Sequence, residues 1–221
     1  MNPNDRVILL HGLARTPRSM ARLAHALAAA GYETHNWGYP SRQHRFADLA
    51  AMIRGRLENL DGRNTTHFVG HSLGGLLLRA ALQAPLPFPP GRLVLIGSPH
   101  RGAMVIDRLL ARPATRWLPR AFGLPALELG RDAAWLAELP RPLLETGAIA
   151  GTRRFHPFNP SAWINRLHGA AEAGDGTVEL DSALWPQGGA GISVDAAHSL
   201  LPGDPRVIAA TVRFLQTGRF D

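Results

Sequence analysis

Short runs of β-branched and leucine-rich residues alternate along the chain with stretches in which apolar side chains recur every three or four positions. The first pattern suits strands and the second suits helices packed along one stripe, so the alternation predicts a parallel sheet with crossover helices. Six strands are expected, at Arg6 to Leu10, Tyr32 to Trp37, Thr66 to Gly70, Arg92 to Gly97, Glu145 to Gly151 and Ala190 to Val194. Helices are expected at about Pro17 to Ala30, Arg45 to Asn59, Ser72 to Gln83 and Asp204 to Gln216. Met20, Leu23, Ala24 and Leu27 form the apolar stripe of the first helix, which Pro17 opens and Gly31 closes, as the asymmetry of helix ends predicts. The four prolines between Pro85 and Pro90 cannot continue a helix or a central strand and read as a loop.

One interval breaks the alternation. Residues from about Pro99 to Leu144 are too many for an ordinary crossover. They read as two or three short helices rich in Leu, Ala, Trp and Arg, broken by Pro113, Pro119, Pro125 and Pro140. In an open parallel sheet such an insertion lies beyond the carboxyl ends of the strands, where ligands bind. It is therefore expected to cap a site, with Trp117, Phe122, Trp135 and Leu136 as candidates to line an apolar pocket. The same residues also suit packing of the cap onto the body, and the sequence leaves both roles open. Residues 1–221 are expected to form a single domain carrying this insertion.

Composition narrows the class. With 45% hydrophobic and 19% charged residues the chain suits a globular protein, and its apolar runs are too short to span a bilayer. The first strand pattern starts within six residues of Met1, which leaves no room for a signal peptide and gives the expectation of a cytoplasmic protein. The absence of cysteine removes disulfides, thiolate catalysis and cysteine metal sites. A net charge of +7 raises nucleic acid as a partner, but every basic residue is arginine and they are dispersed, with no basic run and no aromatic-interleaved stripe. No nucleic-acid partner is expected.

The chemistry enters at Gly70-His71-Ser72-Leu73-Gly74-Gly75, a G-x-S-x-G match placed between a strand and a helix. A chain turning from strand to helix within two residues strains the central serine, and side chains two before and two after would collide, so glycine stands at both. Ser72 is thus the candidate nucleophile. His11-Gly12-Leu13 follows the first strand, and the amides of Leu13 and Leu73 are the candidate oxyanion hole, with His11 more suited to holding that loop.

The base belongs in the loop before the last helix, which His198 occupies. For the acid, Gly174-Asp175-Gly176 offers a carboxylate on a freely turning loop after the fifth strand, with Glu172, Glu179 and Asp181 as competitors. Asp195 is too close in sequence to His198 to face the far side of its ring. The chain order Ser, Asp, His selects Asp175. His67 and His71, four apart, straddle a strand and its turn, so no metal site is expected.

These motifs, together with Gly97-Ser98-Pro99-His100-Arg101-Gly102, resemble those of small bacterial lipases and esterases of the α/β-hydrolase superfamily. Serine stands at position 98, where threonine is usual in that last signature. The resemblance implies an α/β-hydrolase fold lacking its first two strands, a mostly parallel sheet of about six strands with helices on both faces, and catalysis without metal or organic cofactor. It implies hydrolysis of a small-molecule or lipid ester through an acyl-enzyme on Ser72. Thioesterases and acyltransferases share the constellation, and a non-catalytic binding module on the same fold is a further alternative. The arginine-rich cap also suits peripheral contact with anionic lipid.

Overall fold

Five buried residues, Arg-Val-Ile-Leu-Leu, form the strand on which the structure is built, and both faces of that strand are covered. In the computed structural model, which describes residues 5–60, 62, 64–131, 133–156, 173–184 and 189–221, six strands occur in chain order. They are β1 (Arg6–Leu10), β2 (Glu33–Trp37), β3 (Thr66–His71), β4 (Pro90–Ile96), β5 (Thr146–Gly151) and β6 (Ala190–Val194). All pair in parallel, in the order β2-β1-β3-β4-β5-β6. The chain thus winds one way from β1 to β2 and the other way from β3 onward, and the carboxyl ends of β1 and β3 lie side by side at the reversal.

The principal helices are α1 (Ala21–Ala29), α2 (Phe46–Glu58), α3 (Leu73–Ala81), α4 (Met104–Leu110), α5 (Leu118–Phe122), α6 (Ala134–Glu138), α7 (Leu180–Leu184) and α8 (Pro205–Thr217). Alternate residues of β1 divide between two cores. Ile8 and Leu10 pack with α2, α3 and the β4–β5 insertion, whereas Val7 and Leu9 pack with α1 and α8. Among the described residues no helix is long and apolar enough to cross a membrane.

The expected strands and long helices occur, with ends shifted by one or two residues. One helix differs in kind. The segment expected to run from Pro17 is a 3₁₀ turn over Pro17–Met20 before α1 begins, and Pro17 stands at the head of that turn.

The insertion between β4 and β5 carries α4, α5, a 3₁₀ turn at Leu124–Glu128, and α6. Both of its ends are fastened to α3 by one residue. Arg79 is wholly buried; its Nη1 donates to His100 Nδ1 at 3.1 Å, and its Nη2 donates to the carbonyls of Leu139 at 2.8 Å and Pro140 at 3.0 Å. Burial pulls the guanidinium pKa down to about 10, which leaves it charged at neutral pH.

Candidate active site

Ser72 sits between β3 and α3 with φ 55° and ψ −123°, one of two non-glycine residues at positive φ among those described. Such a conformation costs on the order of 1–3 kcal/mol and persists only where its surroundings fix it. Here the Ser72 amide donates to Ile96 O at 2.9 Å and the Gly75 amide returns to Ser72 O at 3.0 Å. Gly74 explains why the elbow needs glycine. A Cβ there would lie 2.5 Å from Leu10 O and 2.6 Å from His11 O, both rigid backbone at the end of β1.

The imidazole arrives from the far end of the chain. His198 opens a 3₁₀ turn over His198–Gly203, and its Nε2 lies 3.1 Å from Ser72 Oγ. Its Nδ1 lies 2.7 Å from Asp175 Oδ2. A carboxylate can only accept, so Nδ1 carries the proton and Nε2 presents its lone pair to the Ser72 hydroxyl. Asp175 is fully buried, and its Oδ1 accepts the amides of Thr177 at 3.0 Å and Val178 at 2.8 Å, which fixes the plane of the carboxylate. Gly97, at φ +55°, leaves room for this pair: a Cβ there would stand 3.3 Å from both Asp175 Oδ2 and His198 Nδ1.

The competing carboxylates point elsewhere. Glu179 is buried and accepts the Met104 amide at 3.3 Å, its pKa raised by burial. Asp181 lies beside Arg101 and Arg131 at the surface, and Asp195 pairs with Arg153 at 2.8 Å. Glu172 falls outside the described residues.

Leu13 and Leu73 meet at the same end of the sheet. Leu73 is the first residue of α3, where the opening amides have no carbonyl one turn back, and among the described residues neither the Leu13 nor the Leu73 amide has a protein acceptor. The loop carrying Leu13 is braced from behind. Tyr39 donates its hydroxyl to His11 O at 2.5 Å and stacks on the His11 ring with centroids 4.4 Å apart. The Ala14 amide donates to Ser41 Oγ at 3.1 Å, which holds Ala14 at φ 54°. His11 itself donates a ring N–H to Gly12 O at 2.8 Å, the structural part that sequence suggested for it.

His71 carries a role that sequence reasoning did not assign. Its Nε2–H donates to the His198 carbonyl at 3.1 Å, and the two rings lie 4.9 Å apart. Burial first, and then the nearby His198, hold the His71 pKa well below the usual 6.5, so this imidazole stays neutral. Its only signal in the sequence was its place inside the serine motif.

A cavity of about 360 Å³ opens over Ser72 and His198. Val105, Ile106 and Leu109 of α4, with Ala126 and Leu129, give it an apolar wall. Of the four residues expected to line it, only Phe122 does. Trp117 is 58% exposed, and its Nε1–H is satisfied locally by Ala114 O at 3.1 Å. Trp135 packs on Phe46 of α2, with centroids 4.0 Å apart, and Leu136 is buried in the same core. These two fasten the insertion to the body, and the wall comes instead from α4 with Phe122, Ala126 and Leu129.

The family model described as "Alpha/beta hydrolase family" matches residues 7–218. Among solved structures, a Bacillus licheniformis lipase in its mature form is 16% identical, with a TM-score of 0.68 over 90% of this chain and 86% of that one. A Listeria innocua gene product is 18% identical, with a TM-score of 0.64 over 97% and 94% of the two chains. A metagenomic carboxyl esterase is 19% identical, with a TM-score of 0.69 over 91% and 66%. No curated protein matches the chain. At these identities the likeness is one of fold.

Proposed function

The chain belongs to the alpha/beta hydrolase family, and from that premise we propose that it hydrolyses carboxylic esters with Ser72 as nucleophile, His198 as general base and Asp175 as the carboxylate that orients the base. The observation that carries the reading is the continuous path from Ser72 Oγ to His198 Nε2 at 3.1 Å and from His198 Nδ1 to Asp175 Oδ2 at 2.7 Å.

Ser72 Oγ attacks the ester carbonyl as its proton passes to His198 Nε2, and buried Asp175 stabilises the imidazolium that forms. The amides of Leu13 and Leu73 hold the oxyanion of the tetrahedral intermediate. Its collapse breaks the carbonyl–alkoxy bond, and His198 returns the proton to the departing alcohol. Water, deprotonated by the same Nε2, then attacks the acyl-enzyme; the bond from Ser72 Oγ to the acyl carbon breaks, His198 returns the proton to Ser72 Oγ, and the acid leaves. The acyl chain occupies the space bounded by Val105, Ile106, Leu109, Ala126 and Leu129, an apolar setting that suits medium or longer chains. The insertion acts as the cap over this space.

A fluorophosphonate probe tests the nucleophile: labelling of the wild type that disappears in Ser72→Ala supports the reading, and absence of labelling in both refutes it. A chain-length series of p-nitrophenyl esters tests the pocket. Rates are expected to rise beyond butyrate, and a peak at acetate with nothing beyond butyrate removes the lipase side of the proposal.

A further inference from the structure

Leu110 to Leu124 is chemically unlike the rest of the surface. Four of the seven exposed large apolar residues among those described fall in this stretch: Leu110, Trp117, Phe122 and Leu124. Arg112, Arg116 and Arg120 recur at four-residue intervals between them, all exposed, and no acidic residue occurs from Arg108 to Leu127. The amide of Arg116 donates to Arg112 O and that of Arg120 to Trp117 O, so the stretch is a series of helical turns with the arginines on successive turns. None of these three forms an ion pair among the described residues, whereas Arg101 and Arg131 nearby both face Asp181.

Exposed apolar residues flanked by unpaired guanidinium groups fit a partner that is apolar beneath and anionic above. We propose that this face of the insertion docks on an anionic lipid surface, with Arg112, Arg116 and Arg120 at the headgroup phosphates and Leu110, Trp117 and Leu124 entering the interface. Trp117 is suited to that position because its indole N–H is already satisfied by Ala114 O at 3.1 Å, so the ring enters without stranding a donor. Phe122 joins the surface to the interior: it is 36% exposed and also lines the cavity over Ser72. An acyl chain leaving the lipid would meet apolar side chains along that route. The docking itself does not depend on the catalytic reading.

The test is co-sedimentation of the full chain with vesicles of phosphatidylcholine alone or mixed with phosphatidylglycerol, at low and high salt. Binding is expected only to the phosphatidylglycerol vesicles and to weaken as salt screens the charges. Each arginine near such a surface is worth about five-fold in partitioning, so Arg112→Gln, Arg116→Gln and Arg120→Gln together should weaken binding about a hundred-fold. Trp117→Ala alone should weaken it less and leave its salt dependence unchanged. Unchanged circular dichroism and urea midpoints should show that all these variants fold, and unchanged fluorophosphonate labelling of Ser72 in solution reports on the nucleophile separately. Equal binding to both vesicle types, no loss in the triple variant, or self-association through this face without vesicle binding would each overturn the proposal.

Discussion

Replacing Asp175 with asparagine asks the site to run with its hydrogen-bond polarity reversed. The two Asp175 oxygens are not equivalent: Oδ1 accepts the Thr177 and Val178 amides at 3.0 and 2.8 Å, and Oδ2 accepts His198 Nδ1–H at 2.7 Å. Both backbone donors demand an acceptor, so in Asp175→Asn the amide oxygen takes the Oδ1 place and the NH₂ group faces His198. Facing a donor, Nδ1 must accept, and the imidazole proton moves to Nε2. Nε2 then aims a proton at Ser72 Oγ where it should aim a lone pair. The tautomer is wrong for catalysis, and the loss of kcat is expected to be about 10⁴-fold, or about 5.5 kcal/mol in the barrier. The fold should survive, because both amides remain paired. Asp175→Ala is the contrasting case: it strips the same amides of their acceptor, and each buried donor left unpaired costs about 1–3 kcal/mol of stability. Steady-state hydrolysis of p-nitrophenyl butyrate, with urea unfolding of both variants, separates the two effects. An Asp175→Asn protein within ten-fold of wild-type kcat would refute the assignment of Asp175.

Three other outcomes are expected. Gly74→Ala should destabilise the fold by about 1–3 kcal/mol in urea unfolding, since its Cβ would meet Leu10 O and His11 O, which cannot turn aside; an unchanged midpoint would contradict the account of the elbow. Burial keeps His71 and His100 well below the usual 6.5, so as pH falls through that value the unfolded chain takes up protons that the folded chain refuses. Stability is therefore complete above about pH 7.5 and declines below it, by up to ~1.4 kcal/mol per pH unit for each histidine, and equal urea midpoints at pH 7.5 and 5.5 would overturn this. Ala126 is buried in the cavity wall, so Ala126→Leu should lower kcat/KM for octanoyl esters several-fold relative to butanoyl esters; an unchanged ratio would place the acyl chain elsewhere.

The sheet was legible because its signal is local: a buried strand such as Arg6–Leu10 announces itself in five residues, and the alternation of strand and helix fixes a parallel arrangement. The serine motif was legible from its spacing, although only Gly70 answers a steric demand made within five residues, by Gly74 and Gly75, whereas Gly74 answers one made by Leu10 and His11 at the distant end of β1. His198 and Asp175 could be picked out by chain order, whereas the room around their hydrogen bond is left by Gly97, a residue far from both in sequence. The insertion was the least legible part. An interval too long for a crossover announced it, but the direction of each side chain depends on how short helices settle on α2 and α3, and nothing in the sequence around Trp135 says that it meets Phe46. Tyr39 and Ser41 were missed for the same reason: they act on the loop after β1 from the end of β2, through contacts that adjacency in the sheet creates and the chain order conceals.

Arg79 gives the molecule a division of labour. Because one guanidinium grips His100 at one foot of the insertion and Leu139 and Pro140 at the other, the span between behaves as a loop closed on a fixed clasp. The clasp sits on the same helix that begins beside Ser72, so the two feet of the span and the serine elbow share one rigid element. A change at Arg79 would release both feet from α3 together.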